Sequence, residues 1–255
     1  MALIYRLVSA AVLFSSVLVS AAPIHSSTGT SGLVNYKRGE ANVITKCTVP
    51  GTLAITFDDG PYKYTEGLLD ILKKKNAKAT FFMNGQNYDS IFTYKSLIQR
   101  AKKEGHQIGS HTWDHADLSS LKTKDSILDK MKKLDDAIKK IIGVRPVFMR
   151  PPYGNKNDLV VRTLTAAGYK VVIWDVDSGD SQGKTPSQSL EIYKKTLSPA
   201  GENKKPGHII LQHDVYDKTV HGFISDAIDF AHSKGLKLVT VGECMGQSPS
   251  TWYRS

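Results

Sequence analysis

Two carboxylates side by side in Thr56-Phe57-Asp58-Asp59-Gly60-Pro61, and two imidazoles four residues apart in Ser110-His111-Thr112-Trp113-Asp114-His115, are the groups in this chain best suited to chemistry. Adjacent carboxylates at the end of a strand point in different directions, so one can bind a cation while the other faces a substrate as a base. Read alone, Asp-Asp-Gly-Pro is equally an ordinary turn. Histidines four apart on a helical turn share one face and can reach one metal ion; the competing reading is two unrelated surface histidines. With Asp59 as third ligand, the set becomes His-His-carboxylate with positions left open for water and substrate, as hydrolytic metal centres require.

Three further segments carry polar groups. In Arg150-Pro151-Pro152-Tyr153-Gly154 the prolines stiffen the backbone, which can aim the Tyr153 amide as an oxyanion donor. Arg150 is then either a surface charge or the group that holds Asp58 ionised. Asp175, Asp177 and Asp180 fall within one loop, which either binds calcium or simply turns. Ile209-Ile210-Leu211-Gln212-His213-Asp214 ends an apolar run in a histidine beside a carboxylate, a candidate general acid or a structural histidine.

The elements that must position these groups alternate. Strands are expected at residues 53–57, 79–83, 107–110, 147–150, 171–175, 208–212 and 236–241, with helices at 65–75, 92–104, 124–142, 158–167, 187–197 and 220–234. Gly105, Gly143, Gly168 and Gly235 follow four of the helices, as C-terminal caps. Such alternation predicts a parallel α/β architecture. Five different strands deliver polar groups at the same end, which favours a barrel mouth over the single crevice of an open doubly wound sheet.

In this order, Thr-Phe-Asp-Asp-Gly, His-Thr-x-x-His, Arg-Pro-Pro-Tyr-Gly, Asp-x-x-Asp and Leu-x-His resemble the five motifs of carbohydrate esterase family 4, the NodB-like polysaccharide deacetylases, over residues 53–241. The resemblance implies a distorted (β/α)7 barrel. It implies a catalytic set with Asp58 as base, His213 as acid, Arg150 orienting Asp58, Asp180 tuning His213 and the Tyr153 backbone steadying an oxyanion. Asp59, His111 and His115 are implied as ligands of one divalent ion, zinc or sometimes cobalt. Leu211 is implied as the wall of an acetyl pocket, with Tyr153 and Trp113 as substrate contacts. Residues 174–181 are similar to fungal chitin deacetylases, so the implied reaction is release of acetate from chitin or its oligomers, with acetylxylan and peptidoglycan as alternatives. The family often has an aromatic residue after the fourth-motif aspartate; this chain has Ser181. A lectin that keeps the fold without turnover is the alternative from another class.

Arg6, the apolar stretch 7–19 and the small residues that close it read as a signal peptide over residues 1–21. Residues 22–38 are rich in Ser, Thr and Gly and form a low-complexity segment or propeptide ending in Lys37-Arg38, a processing site or a solvated pair. Residues 39–255 form one deacetylase-like domain. A secreted monomer acting on a glycan in the extracellular space or cell wall, without a membrane anchor, is expected. The formal net charge of +10 falls to +7 for residues 39–255, because Arg6, Lys37 and Arg38 lie outside and no acid does. The lysines sit mainly in helical patterns, where a solvated face explains them better than a nucleic-acid partner. The two cysteines, Cys47 and Cys244, flank the core and are expected to pair in an oxidising compartment; a Cys-Cys metal site lacks the usual close spacing. No Asn-x-Ser/Thr acceptor for N-glycosylation occurs.

Overall fold

The computed structural model describes residues 43–198 and 207–255, so the leader, the low-complexity segment and Lys37-Arg38 lie outside the described residues. Eleven strands are described: β1 (Val43–Ile44), β2 (Thr52–Asp58), β3 (Thr80–Met83), β4 (Gln107–Ser110), β5 (Arg145–Pro146), β6 (Phe148–Met149), β7 (Lys170–Val172), β8 (Val176–Asp177), β9 (Ile209–His213), β10 (Lys237–Val239) and β11 (Tyr253–Arg254). The helices are α1 (Thr65–Lys74), α2 (Lys95–Lys103), α3 (Lys124–Ile142), α4 (Asp158–Ala166), α5 (Pro186–Leu197), α6 (Asp217–Val220), α7 (Ile224–Ser233) and α8 (Val241–Cys244).

Nine strands pair in parallel in the order β1-β7-β6-β4-β3-β2-β9-β8, with β10 joined to the first half of β2. This curled, helix-covered sheet is the expected distorted barrel. Its two edge strands, β1 and β8, are not paired with each other. The chain crosses that seam itself: Ile173 N–H donates to Ile44 O on one side and Asp175 N–H to Ile209 O on the other. Three of the nine strands, β1, β6 and β8, are only two residues long, too short to show a periodicity of their own; β6 lies within the expected run 147–150, whereas β1 and β8 are the two beyond the seven expected.

Central β2 is buried at all seven positions, as a strand covered on both faces must be, and its Leu, Ile and Phe side chains join the main core with α1, α7 and β3. Helix α3 begins at Thr123, whose side chain accepts from Ser126 N–H, and ends at Gly143 with φ 80°, where a left-handed residue lets the chain turn back toward the sheet. The helix expected at 220–234 begins later, as α7 at Ile224; Val220 instead closes the short α6, and residues 221–223 separate the two. Cys47 and Cys244 form a disulfide with Cα atoms 5.0 Å apart, as expected, and Thr48 and Val49 N–H both donate to Cys244 O beside it. Behind the barrel, β11 pairs antiparallel with β5 and ties down the C-terminal segment.

Register decides where the chemistry goes. Asp58 lies opposite both His213 and Phe82, Phe82 opposite Gly109, and Ser110 opposite Met149. The residues next along each strand, Asp59, His111 and Arg150, therefore rise from the same end of the sheet as Asp58 and His213.

Candidate active site

Asp58 ends β2 with 2% of its surface exposed, and Arg150, fully buried, donates from Nη1 to Asp58 Oδ1 at 2.7 Å. The same nitrogen donates to Thr56 Oγ1 at 2.6 Å, and Nη2 to Ile173 O at 3.2 Å. The guanidinium carbon lies 4.3 Å from the centre of the Phe82 ring. Arg150 is thus a buried partner of Asp58, and the reading as a surface charge is excluded. Burial pushes the Asp58 carboxyl above its usual range, while Arg150 and, more distantly, His213 pull it down.

Asp59, His111 and His115 each offer an atom, and the three atoms lie within 4.8 Å of one another. Asp59 Oδ1 is 3.2 Å from His115 Nε2 and 3.6 Å from His111 Nε2, yet it is buried without a hydrogen-bond partner. His111 Nδ1–H donates to Arg150 O at 2.8 Å, which leaves Nε2 as a lone pair facing the carboxylate. Burial, then the neighbouring His115, hold His111 neutral well below its ordinary pKa. Burial raises Asp59 to about 6, with His213 opposing and Asp58 and Asp180 adding to the shift. Three lone-pair donors aimed at one point, one of them an orphaned buried oxygen, fit a divalent cation.

The histidines do not share a helical face, as their spacing suggested. They lie in the loop after β4, and its backbone brings them together: Thr112 and His115 have φ of 69° and 54°. Asp59 at 77° and Tyr153 at 60° are left-handed as well, so four of the five non-glycine residues with positive φ among the described residues lie at this site. Such conformations each cost on the order of 1 kcal/mol and persist where surrounding structure enforces them. Asn84, 2% exposed, supplies part of that enforcement, donating from Nδ2 to the carbonyls of His111 (2.6 Å) and Thr112 (2.9 Å).

On the opposite wall, His213 Nδ1–H donates to Asp180 Oδ1 at 2.8 Å. Asp180 Oδ2 accepts from His213 N–H at 2.8 Å and from Thr219 Oγ1 at 2.7 Å. Burial alone lowers the His213 pKa, but the Asp180 hydrogen bond and charge, with Asp58 and Asp59, outweigh it and raise the value to about 9. Burial likewise works to raise Asp180, and its bonds from His213 and Thr219 bring it below the ordinary carboxylate range.

These groups face a cavity of about 420 Å³ lined by Asp58, Asp59, His111, His115 and His213, with Leu211, Tyr153, Trp174, Tyr88 and Tyr216 at its apolar parts and Asp177, Ser181 and Gln182 along one rim. Tyr153, 65% exposed, stands at the mouth with its ring 4.6 Å from that of His115.

One expectation needs correction, and one open alternative falls away. Trp113 does not line the cavity. It packs behind the loop against Gly85, where a Cβ would come within 2.0 Å of the indole, and beneath the Lys133 ammonium 4.3 Å from its ring centre. The three aspartates of residues 175–180 do not converge on a calcium site either: Asp175 binds His208 and Ile209 N–H, Asp177 accepts from Gly179 N–H and Gln182, and Asp180 serves His213. Thr56, Asn84 and Thr219 were missed, because a lone Thr or Asn carries no local signal until its partner is known.

Two imidazoles beside a buried carboxylate form a possible cation site, flanked by a second carboxylate held by an arginine and by a histidine held by an aspartate, an arrangement that suits metal-assisted hydrolysis. The chain belongs to the polysaccharide deacetylase family: the family model described as "Polysaccharide deacetylase" matches residues 45–172. It is 44% identical over 215 residues to a chitin deacetylase of Pestalotiopsis sp, covering 84% of this chain and 70% of that one. A peptidoglycan-N-acetylglucosamine deacetylase of Bacillus cereus is 33% identical over 194 residues, covering 74% and 66%. The solved chitin deacetylase of the fungal pathogen Colletotrichum lindemuthianum superposes with a TM-score of 0.79 at 37% identity, covering 83% of this chain and 95% of that chain.

Proposed function

We propose that this protein removes N-acetyl groups from chitin or chitooligosaccharides, releasing acetate and leaving glucosamine units. The observation that carries the reading is the pairing of two oppositely prepared groups across one cavity: Asp58, held by Arg150, and His213, held charged by Asp180. Asp59, His111 and His115 would hold one divalent ion, with zinc or cobalt suited to an N2O donor set. Such an ion, when bound, supplies Lewis-acid polarisation and lowers the pKa of water.

The residues of the chain do the rest. Asp58 accepts a proton from the attacking water. The Tyr153 backbone amide donates to the developing oxyanion, its orientation set by the left-handed turn after Pro151-Pro152. His213, with Nδ1 engaged by Asp180, presents Nε2 to the cavity and protonates the departing amine. Leu211 and Trp174 give the acetyl methyl an apolar wall.

Fungal chitin deacetylases among the relatives support the choice of chitin. Peptidoglycan deacetylases among them make a peptidoglycan glycan the second reading. The disulfide, favoured in oxidising compartments, supports secretion after removal of residues 1–21. No helix among the described residues is long and apolar enough to cross a membrane. Action as a monomer is part of the same proposal.

The test is acetate release from a panel of chitooligosaccharides, acetylxylan and peptidoglycan fragments, with metal-loaded protein. Chitooligosaccharides should give the highest kcat/KM, chelation should abolish turnover, and zinc or cobalt should restore it. Full acetate release by His111→Ala in the presence of a chelator would overturn the mechanism; chitin binding without any acetate release would favour a lectin.

A further inference from the structure

The cation-ligand loops are joined to the general-acid strand by a carboxylate that the reaction itself does not use. Asp214 follows His213 directly, is 1% exposed, and turns away from the cavity. Its Oδ2 accepts from Thr65 Oγ1 at 2.5 Å, and Thr65 Oγ1 in turn accepts from Tyr62 N–H at 2.9 Å. Its carboxyl lies directly against Gly60: a Cβ built there would stand 2.3 Å from both carboxylate oxygens. Gly60 is the residue after Asp59, whose φ of 77° is one of the strained conformations at the site. The far side of the same turn is held by Asn84, whose N–H donates to Gly60 O at 2.9 Å while its side chain holds the His111 and Thr112 carbonyls. The turn carrying Asp59 is thus gripped from the β9 side by Asp214 with Thr65, and from the histidine side by Asn84.

We propose that Asp214 is a positioning residue for the cation site, fixing the Asp59 turn against the end of β9 through Thr65 and Gly60. The proposal rests on the reading of Asp59, His111 and His115 as ligands. A buried carboxylate here is otherwise hard to explain. Its Oδ1 has no hydrogen-bond partner, a cost that an apolar residue would avoid, and the contact it makes is with the one glycine in the ligand turn. Asn has the same shape and keeps one oxygen to accept from Thr65, so shape and hydrogen bond can be separated from charge.

The experiment titrates chelator-stripped full-length protein with cobalt chloride, reading affinity by calorimetry and ligand geometry from the cobalt absorption bands, alongside thermal unfolding of the metal-free protein. Asp214→Ala is expected to weaken cobalt binding at least tenfold and to alter the bands, while Asp214→Asn stays within about threefold of wild type. Thr65→Val, which severs only the hydroxyl, is expected to weaken binding in the same direction, and the Asp214→Ala/Thr65→Val pair to be no weaker than Asp214→Ala alone. A folded Asp214→Ala, or Thr65→Val if the alanine variant does not fold, that binds cobalt with wild-type affinity and bands overturns the proposal. Failure of the wild-type protein to bind one cobalt per chain would instead overturn the reading of the ligands.

Discussion

His213 Nδ1 lies 2.8 Å from Asp180 Oδ1, and this contact fixes both the charge of the imidazole and the nitrogen it shows to the cavity. The raised pKa of about 9 means that the acid form is present at neutral pH and is lost as pH rises through that value. Because the folded pKa lies above the ordinary 6.5, the pair also stabilises the fold fully below about pH 6.5, and that contribution fades as pH approaches and passes about 9.

Asp180→Asn removes the charge that sustains the imidazolium. The alkaline limb of the pH–rate profile should move to lower pH, and kcat at pH 8 should fall by roughly 100-fold or more, the usual scale of general acid catalysis. An unmoved alkaline limb would assign it to another group.

Arg150→Leu leaves Asp58 buried without its cation. Removing one member of a buried ion pair typically costs roughly 3–5 kcal/mol, so the urea midpoint should drop sharply. Arg150→Lys should recover only part, because an ammonium cannot serve Thr56, Asp58 and Ile173 together as the planar guanidinium does. A leucine variant as stable as wild type would remove the ion pair from the account.

Reduction, or Cys47→Ser with Cys244→Ser, opens a crosslink between residues 197 apart in sequence. The chain-entropy model gives a loss of about 5 kcal/mol for a loop of that length, read as a lower denaturant midpoint with a steeper slope, because the unfolded chain without the crosslink exposes more surface. A shift below 1 kcal/mol would mean that the flanking bonds to Cys244 O already hold the ends together.

Ser181 is exposed on the polar rim of the cavity. Ser181→Trp supplies an aromatic surface there and should lower KM for chitooligosaccharides about 2- to 10-fold with kcat little changed. A fall in kcat without a fall in KM would show that the rim tolerates no added bulk.

Much of this was legible along the chain. The alternation of buried strands and amphipathic helices, and the glycines with φ of 71° to 86° at positions 105, 143, 168 and 235, follow from local periodicity and from backbone conformations that only glycine adopts freely. Asp58, Asp59, His111, Arg150 and His213 were identifiable because each comes at or just after the end of a strand, and parallel strands bring those ends to one rim. The two-residue strands β1 and β8, the exclusion of Trp113 from the cavity and the separate duties of Asp175, Asp177 and Asp180 were not, since each depends on what packs against the residue rather than on its neighbours in sequence.

The order and types of residues therefore determined the fold class and the chemical inventory, through side-chain periodicity and the acid, base and ligand character of each group. Tertiary structure decided which of those groups meet and in what state. Burial without water raises Asp58 and neutralises His111, Asp180 keeps His213 charged, and the strained turns at Asp59 and Thr112 are held by Asn84, Thr65 and Asp214, contacts between distant segments that no local pattern encodes.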